Sequence, residues 1–391
     1  MTDITTEVAR ALQAAMQRAD VPESVHIDAT YRCGLACKHC YLDNRATWPE
    51  MTPAELRALV DQLADFGVWK LLWSGGELFE RTDIDELLAH AARRGFVQTL
   101  KSHAGLIDAT RARHLAALRI QVVHVSVYSL RAEVHDVFTQ TPGSLAATCA
   151  GVGELRAAGV PVRISCVVQT DTVDEMVAIH DHFTALGCEV VFGLHIFRDH
   201  LARTDLDTLA LSPEDFQRSE AIRLRLQPFI PPKPVSATPS QGVCSAGRSR
   251  AYVSPDGAVW PCSQFPMQIG HVREKSFASI WRGSTERAEL VAWKNRDRKS
   301  CSSCGGSGFC TYCPGEAFKQ TGDFRKAPVQ FHEHTRARMA AFEVATGQPL
   351  APELWLGVPA GGPRQPRPDR FVFPIYRPKK GLGQRVQPPA K

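Results

Sequence analysis

Six strand-like runs alternate with helix-like runs over the first half of the chain. The strand-like runs lie at 25–29, 68–73, 96–101, 121–127, 162–168 and 189–194. The helix-like runs cover about 53–66, 83–94, 108–118, 143–158 and 172–186, after an amphipathic helix over 2–19. Thr52 before Pro53, with Glu55 three residues beyond Thr52, marks a helix start. Gly67, Gly95, Gly159 and Gly187 each sit where a helix ends and a strand begins. Alternation of this kind predicts an α/β fold built on a parallel sheet. Two architectures remain open on the pattern alone, a closed or partial barrel and an open doubly wound sheet. In either one the chemistry belongs at the carboxyl ends of the strands.

Beyond the sixth strand the composition changes. Residues 227–243 contain five prolines and read as a linker or stiff strap. Residues 244–313 then hold six of the twelve cysteines. The segment 361–391 is rich in proline, glycine and base; from 363 on, eight Lys or Arg face the single acid Asp369. That tail is expected to build no core, although its Phe-Val-Phe-Pro-Ile-Tyr stretch at 371–376 offers a surface for docking. The expected organisation is an N-terminal helix (1–23), an α/β domain (24–226), a linker (227–243), a cysteine-rich domain (244–335), and a C-terminal helix with a basic tail (336–391).

The hydrophobic share of 44% in 391 residues is enough for a real core, and the net charge of +5 is too mild to indicate nucleic acid. No run of about 18 uncharged apolar residues occurs, so no membrane span is expected. The N-terminus lacks the pattern of a signal peptide, which predicts a cytoplasmic protein. In that reducing compartment the cysteines are expected to serve metal ligation or redox chemistry rather than disulfides. Cys149, Cys166 and Cys188 lie in predicted helix or strand among apolar residues and are assigned to core.

Cys33, Cys37 and Cys40 stand within eight residues, directly after the first strand. A loop of this kind can wrap one face of an iron–sulfur cluster, and three thiolates leave one iron of a four-iron cluster open to a small molecule. The alternative is a zinc site, which usually pairs one CxxC with a distant second pair; the CxxxCxxC triplet fits that poorly. The triplet matches the signature of the radical SAM superfamily, and Ser74-Gly75-Gly76-Glu77, after the second strand, resembles that superfamily's glycine–glycine–glutamate motif. The resemblance implies a partial (β/α)6 TIM-like barrel and a [4Fe-4S] cluster on Cys33, Cys37 and Cys40 that binds S-adenosylmethionine. It further implies that Gly75, Gly76 and Glu77 meet the cofactor's amino group and that Ser126 approaches its carboxylate or ribose; His39 is grouped with these cofactor-binding residues. The chain departs from the family at Leu78, where proline is usual, at Lys101–Gly105 in place of Thr-Asn-Gly, and at Tyr128, where aspartate is frequent.

The later cysteines read C-x12-G-x4-C over Cys244, Gly257 and Cys262, then C-x2-C-x5-C-x2-C over Cys301, Cys304, Cys310 and Cys313. A small zinc ribbon is the plainer reading of the second run. Together the two runs resemble the SPASM domain, which carries auxiliary iron–sulfur clusters. By that resemblance Cys244, Cys262 and Cys313 share one cluster and Cys301, Cys304 and Cys310 another, giving one or two auxiliary clusters. The domain's last cysteine is absent. Asp323, His332 and His334 lie where it would fall, with His332 the expected metal ligand.

The resemblance implies reductive cleavage of S-adenosylmethionine, hydrogen abstraction by the 5′-deoxyadenosyl radical, and removal of the substrate electron through the auxiliary clusters. Relatives of this type act on peptides or proteins, so the expected partner is a precursor peptide or protein. An electron donor such as flavodoxin or ferredoxin and a separate leader-peptide-binding protein are further expected partners; nucleic acid and membrane are not. The alternatives are oxidation of a small molecule and a non-catalytic zinc protein. No catalytic acid or base is identified by the sequence.

Overall fold

Strand order decides between the two architectures. The computed structural model of the chain describes residues 4–40, 42, 49–196, 209–227, 242–298, 301 and 303–358. The proline-rich 228–241 segment and the basic tail from 359 on, with the 371–376 stretch, lie outside these residues. Strands β1 (Ser24–Thr30), β2 (Lys70–Gly75), β3 (Val97–Ser102), β4 (Val122–Ser126), β5 (Val162–Val167) and β6 (Glu189–Gly193) pair in chain order, each parallel to the next. A doubly wound sheet reverses its order at a switch point, and here there is no reversal. β6 does not return to β1, whose second edge is taken by another strand. The fold is therefore a partial barrel of six βα units.

Helices cover the outer face. α1 (Ile4–Ala19), α2 (Pro53–Phe66), α3 (Ile84–Arg93), α4 (Ala109–Ala117), α5 (Ala132–Thr139), α6 (Ser144–Ala157) and α7 (Met176–Ala185) follow in order. α2 starts as its sequence dictates: the Thr52 side chain accepts from Glu55 N, the Glu55 carboxylate accepts from Thr52 N, and Gly67 closes the helix at φ 97°. Period-2 alternation puts Val25, Ile27, Trp73, Leu100, Val123 and Ile164 against the helices, where all are essentially fully buried. Each such aliphatic side chain contributes about 1.5–3 kcal/mol. Cys166 and Cys188 belong to this core and Cys149 packs against it.

The cysteine-rich region continues the barrel's sheet. β7 (Arg250–Val253) lies parallel to β1, and β8 (Ala258–Trp260) and β9 (Gly270–His271) follow antiparallel, giving the order β6-β5-β4-β3-β2-β1-β7-β8-β9. The expected start of a new unit at 244 is thus no break in the sheet. The remaining helices are α8 (Pro213–Leu226), α9 (Phe277–Gly283), α10 (Thr285–Ala292), α11 (Pro314–Thr321), α12 (Val329–Thr346) and α13 (Pro352–Trp355). α12 packs along α8, so the C-terminal part also touches the barrel's last described helix.

Candidate active site and cluster sites

The loop that carries Cys33, Cys37 and Cys40 leaves the end of β1 and is strapped down on two sides. Toward α5, Ala36 N donates to Thr139 O and Lys38 N to Phe138 O, both at 3.0 Å. Toward β2, Gly76 N donates to Thr30 O and Glu77 N to Arg32 O, both at 2.8 Å. A Cβ on Gly75 would lie 2.0 Å from Thr30 O, and one on Gly76 2.2 Å from Arg32 O. The two glycines are therefore needed for the chain's own close approach behind the cysteine loop. Leu35 N lies 3.4 Å from Cys33 Sγ, a backbone N–H offered to a thiolate.

Glu77 is fully buried. Its carboxylate accepts from Ser102 Oγ at 2.9 and 3.0 Å, from His103 N at 2.9 Å and from Phe79 N at 3.2 Å. His103 Nε2 stands 3.3 Å from Oε2. A cofactor ammonium at Glu77 would share oxygens already held by the chain. The serine and histidine of Lys101–Gly105 thus fasten the glutamate. Arg81, also missed in the sequence, is 4% exposed and donates to Ala29 O at 3.0 Å and Met51 O at 3.1 Å. It pins the end of β1.

Ser126 and His39 meet through Tyr128. The buried Tyr128 hydroxyl lies beside Ser126 and Cys37, and burial, with the neighbouring Cys37, pushes its pKa well above the ordinary value. The His39 ring packs 5.1 Å from Tyr128 and 4.9 Å from Phe138. The tyrosine in the place of the frequent aspartate therefore ties β4 to the cysteine loop.

The later cysteines fall into two groups. Cys244 precedes β7, Cys262 follows β8 and Cys313 caps α11, and these three lie close enough to act on one another electrostatically. Ala246 N points at Cys244 Sγ at 3.4 Å. Burial pushes the Cys313 thiol up to about 11, against the pull of the Glu316 N–H. α11 presses its first turn onto the loop after Cys262: a Cβ on Gly315 would lie 2.4 Å from Gln264 O, and Lys319 Nζ donates to Gln264 Oε1 at 2.8 Å. Beside Cys313, Glu316 is 3% exposed; its Oε1 accepts from Gln320 Nε2 at 2.9 Å.

Cys301, Cys304 and Cys310 line a small cavity together with Arg298, His332 and Thr335. Arg298 Nη2 lies 3.3 Å from Cys301 Sγ, a charge suited to a thiolate. Burial lowers the His332 pKa, which favours the neutral imidazole that binds metals. Of the three candidates for the missing ligand, His332 alone lines this cavity. His334 stacks on Phe216, with ring centroids 4.3 Å apart, and Asp323 accepts from Arg325 N at 2.9 Å within its own turn. None of the twelve cysteines is joined in a disulfide. Among the described residues no three His, Cys, Asp or Glu side chains close around one ion. Three sets of three thiols, with N–H and guanidinium groups aimed at their sulfurs, are a donor set suited to iron–sulfur clusters.

Residues 27–183 match the Radical SAM superfamily model, and residues 244–305 match that of SPASM, an iron-sulfur cluster-binding domain. The chain is 26% identical over 338 residues to an AdoMet-dependent heme synthase from Methanosarcina barkeri, covering 78% of this chain and 95% of that protein. It is 28% identical over 309 residues to a PqqA peptide cyclase from Xanthomonas euvesicatoria, covering 73% and 82%. Among solved structures it resembles Streptococcus suis SuiB bound to S-adenosylmethionine (TM-score 0.60, 16% identity, 81% and 77% covered). It also resembles anSMEcpe with bound AdoMet (TM-score 0.62, 15% identity, 83% and 100% covered). At these identities the structural likenesses speak for the fold.

Proposed function

Because the chain is a radical SAM enzyme whose barrel runs into an auxiliary iron–sulfur domain, we propose that it oxidises or cross-links a side chain of a ribosomally made peptide or protein. Its cofactors are a [4Fe-4S] cluster that binds S-adenosylmethionine and auxiliary iron–sulfur clusters; together they supply a 5′-deoxyadenosyl radical and electron acceptors. In this reading Cys33, Cys37 and Cys40 hold the first cluster. Gly75, Gly76, Glu77, Ser126 and His39 seat the cofactor. Cys244, Cys262 and Cys313 hold one auxiliary cluster, and Cys301, Cys304 and Cys310 hold the other with His332.

The observation that carries the reading is the convergence on Glu77. The cysteine loop, the glycine turn and the end of β3 meet there through backbone and side-chain bonds. Ser102 and His103 keep the carboxylate aimed, and the glycine turn packs directly on the backbone that leads into the cysteine loop. The PqqA peptide cyclases among the relatives support a peptide substrate, and SuiB has been solved with its precursor peptide SuiA. The expected partners are the precursor, an electron donor such as flavodoxin or ferredoxin, and a leader-binding protein. Cysteines kept as thiols rather than disulfides suit the reducing cytoplasm.

A second reading has its own support: the heme synthase match spans 95% of that relative, which favours a small tetrapyrrole substrate. The test is mass spectrometry on candidate precursor peptides incubated anaerobically with enzyme, S-adenosylmethionine and reductant. A peptide mass loss coupled to 5′-deoxyadenosine release is expected. Release accelerated by a haem precursor and by no peptide would replace the proposal with the second reading.

A further inference from the structure

The inner wall of the barrel carries a row of cationic and imidazole side chains that nothing above employs. Lys101 on β3 is the register partner of His124 on β4, His124 of Arg163 on β5, and Arg163 of Glu189 on β6. Their chain neighbours Leu100, Val123, Val125 and Ile164 are fully buried under the helices. By strand alternation the row therefore faces the interior.

Within this row Arg163 is committed to Glu189, through Nε at 2.8 Å and Nη2 at 2.6 Å. Asp28, across from Lys101, accepts from Tyr252 Oη at 2.8 Å and lies 2.9 Å from His26 Nε2. Lys101 and His124 make no hydrogen bond or ion pair among the described residues. The Lys101 side chain is exposed, yet burial holds its ammonium below the ordinary value, with Asp28 and Cys262 acting the other way and Arg250 adding to the lowering. His124 is brought down to about 4 by burial and then by the charges of Arg163 and Lys101, against Glu189. A desolvated cation that makes no hydrogen bond to a carboxylate of its own gains from an anionic ligand.

We infer that Lys101, with His124 beside it, forms the binding wall for a carboxylate on the substrate. The inference rests on the radical SAM reading of the barrel and adds the substrate's chemical class. Lys101 supplies the charge and the neutral His124 ring an N–H, while Arg163, at the amino end of β5, stays paired with Glu189. The position fits the role. Lys101 directly precedes Ser102 and His103, which hold Glu77, and Cys262 of the auxiliary group is among the charges that reach it. A carboxylate held there places the substrate between the cofactor side and an electron-accepting side. An acidic peptide residue and a carboxylate-bearing small molecule share this chemistry.

The test uses the anaerobic holoenzyme. Lysines are acylated with a small amine-reactive reagent in the presence of glutarate or glutaramide and mapped by mass spectrometry. Lys101 is expected to be protected by glutarate alone; equal labelling overturns the inference. Binding is then compared for a glutamate tripeptide against its glutamine counterpart, and for a carboxylated porphyrin against its methyl ester. In at least one arm the acid is expected to bind about tenfold tighter than the neutral form, and Lys101→Met to remove that preference. The arm that responds identifies the source of the carboxylate. Equal binding of acid and neutral forms in both arms, or a preference kept by Lys101→Met in a variant with full iron content, overturns the inference. If no peptide is modified while the porphyrin acid binds in a Lys101-dependent way, the peptide proposal falls and this inference stands.

Discussion

Ser102 is the residue whose removal best separates bracing from ligation. Its hydroxyl touches both oxygens of Glu77, and its own Oγ accepts from Ala104 N at 2.8 Å. Ser102→Ala leaves the His103 and Phe79 N–H groups in place but frees a buried carboxylate to turn. A hydrogen bond to a charged group is worth about 1.5–3 kcal/mol. S-adenosylmethionine affinity is therefore expected to fall about tenfold or more by equilibrium binding, with iron content unchanged. Unchanged affinity would show that Glu77 takes no part in holding the cofactor. A harder test is the triple replacement of Cys33, Cys37 and Cys40 by alanine. It is expected to abolish 5′-deoxyadenosine release while the later clusters keep their absorbance and electron-paramagnetic signals, because the other six ligating cysteines lie beyond residue 240. Continued cofactor cleavage would remove the cluster from that loop. Sequence reasoning found these cysteines because spacing is local. It noted Lys101–Gly105 only as a departure, because a serine bonding a glutamate twenty-five residues earlier is visible only once β2 and β3 pair.

At the scale of elements, the start of α11 and the first turn of α12 each carry one auxiliary site. Gly315 lets α11 sit on Gln264, and with it Cys313 beside Cys244 and Cys262. In Gly315→Ala the new methyl collides with backbone, so the helix must shift. Loss of about one auxiliary cluster's iron is expected, with cofactor cleavage retained; full iron content would mean that the turn yields without cost. On α12, His332→Ala is expected to change the spectrum and shift the potential of the cluster at Cys301, Cys304 and Cys310, and His332→Cys to lower that potential, since a neutral nitrogen ligand raises potential relative to thiolate. His334→Ala and Asp323→Ala should leave it as it was. The opposite outcome, with His332→Ala silent in redox titration, would return that iron to an open position. The six long strands and α2 were legible because each carries its own period and caps. α5 and α8 were not marked, although Ser212-Pro213 repeats the start signal of Thr52-Pro53. β7, β8 and β9 have four, three and two residues, too few to show a period, and only the free edge of β1 makes them strands.

At the scale of the whole molecule, the barrel and the cysteine-rich region are joined by more than the β1–β7 ladder. Met51 N donates to Pro255 O, Phe277 N to Gln62 Oε1 at 2.9 Å, and Arg273 clasps Glu55 at 2.6 Å while also donating to Glu50 O. Glu55 serves twice, since it also closes the capping box of α2. The Arg273 hydrogen bond, opposed by burial and aided by the contacts from Thr52, lowers its pKa from 4.5 to about 2. A carboxyl depressed on folding contributes stability that is fully present above its unfolded pKa and is lost as pH falls through the folded value. The window therefore runs from about pH 4.5 down to about pH 2. Both side chains are more than a third exposed, at 38% and 35%, so the ion pair itself is worth about 1 kcal/mol or less after screening. Glu55→Ala should destabilise more than Arg273→Met at pH 7, because it removes the side chain that closes the capping box of α2 as well as the ion pair. Metal-free protein is the sample for the acid range, since acid dissolves the clusters. There, the stability gap between wild type and Glu55→Gln, measured by denaturant unfolding, should stay constant from pH 7 to about 5 and narrow below about 4.5. A gap that does not change with pH would mean that the carboxylate's charge takes no part in holding the two regions together.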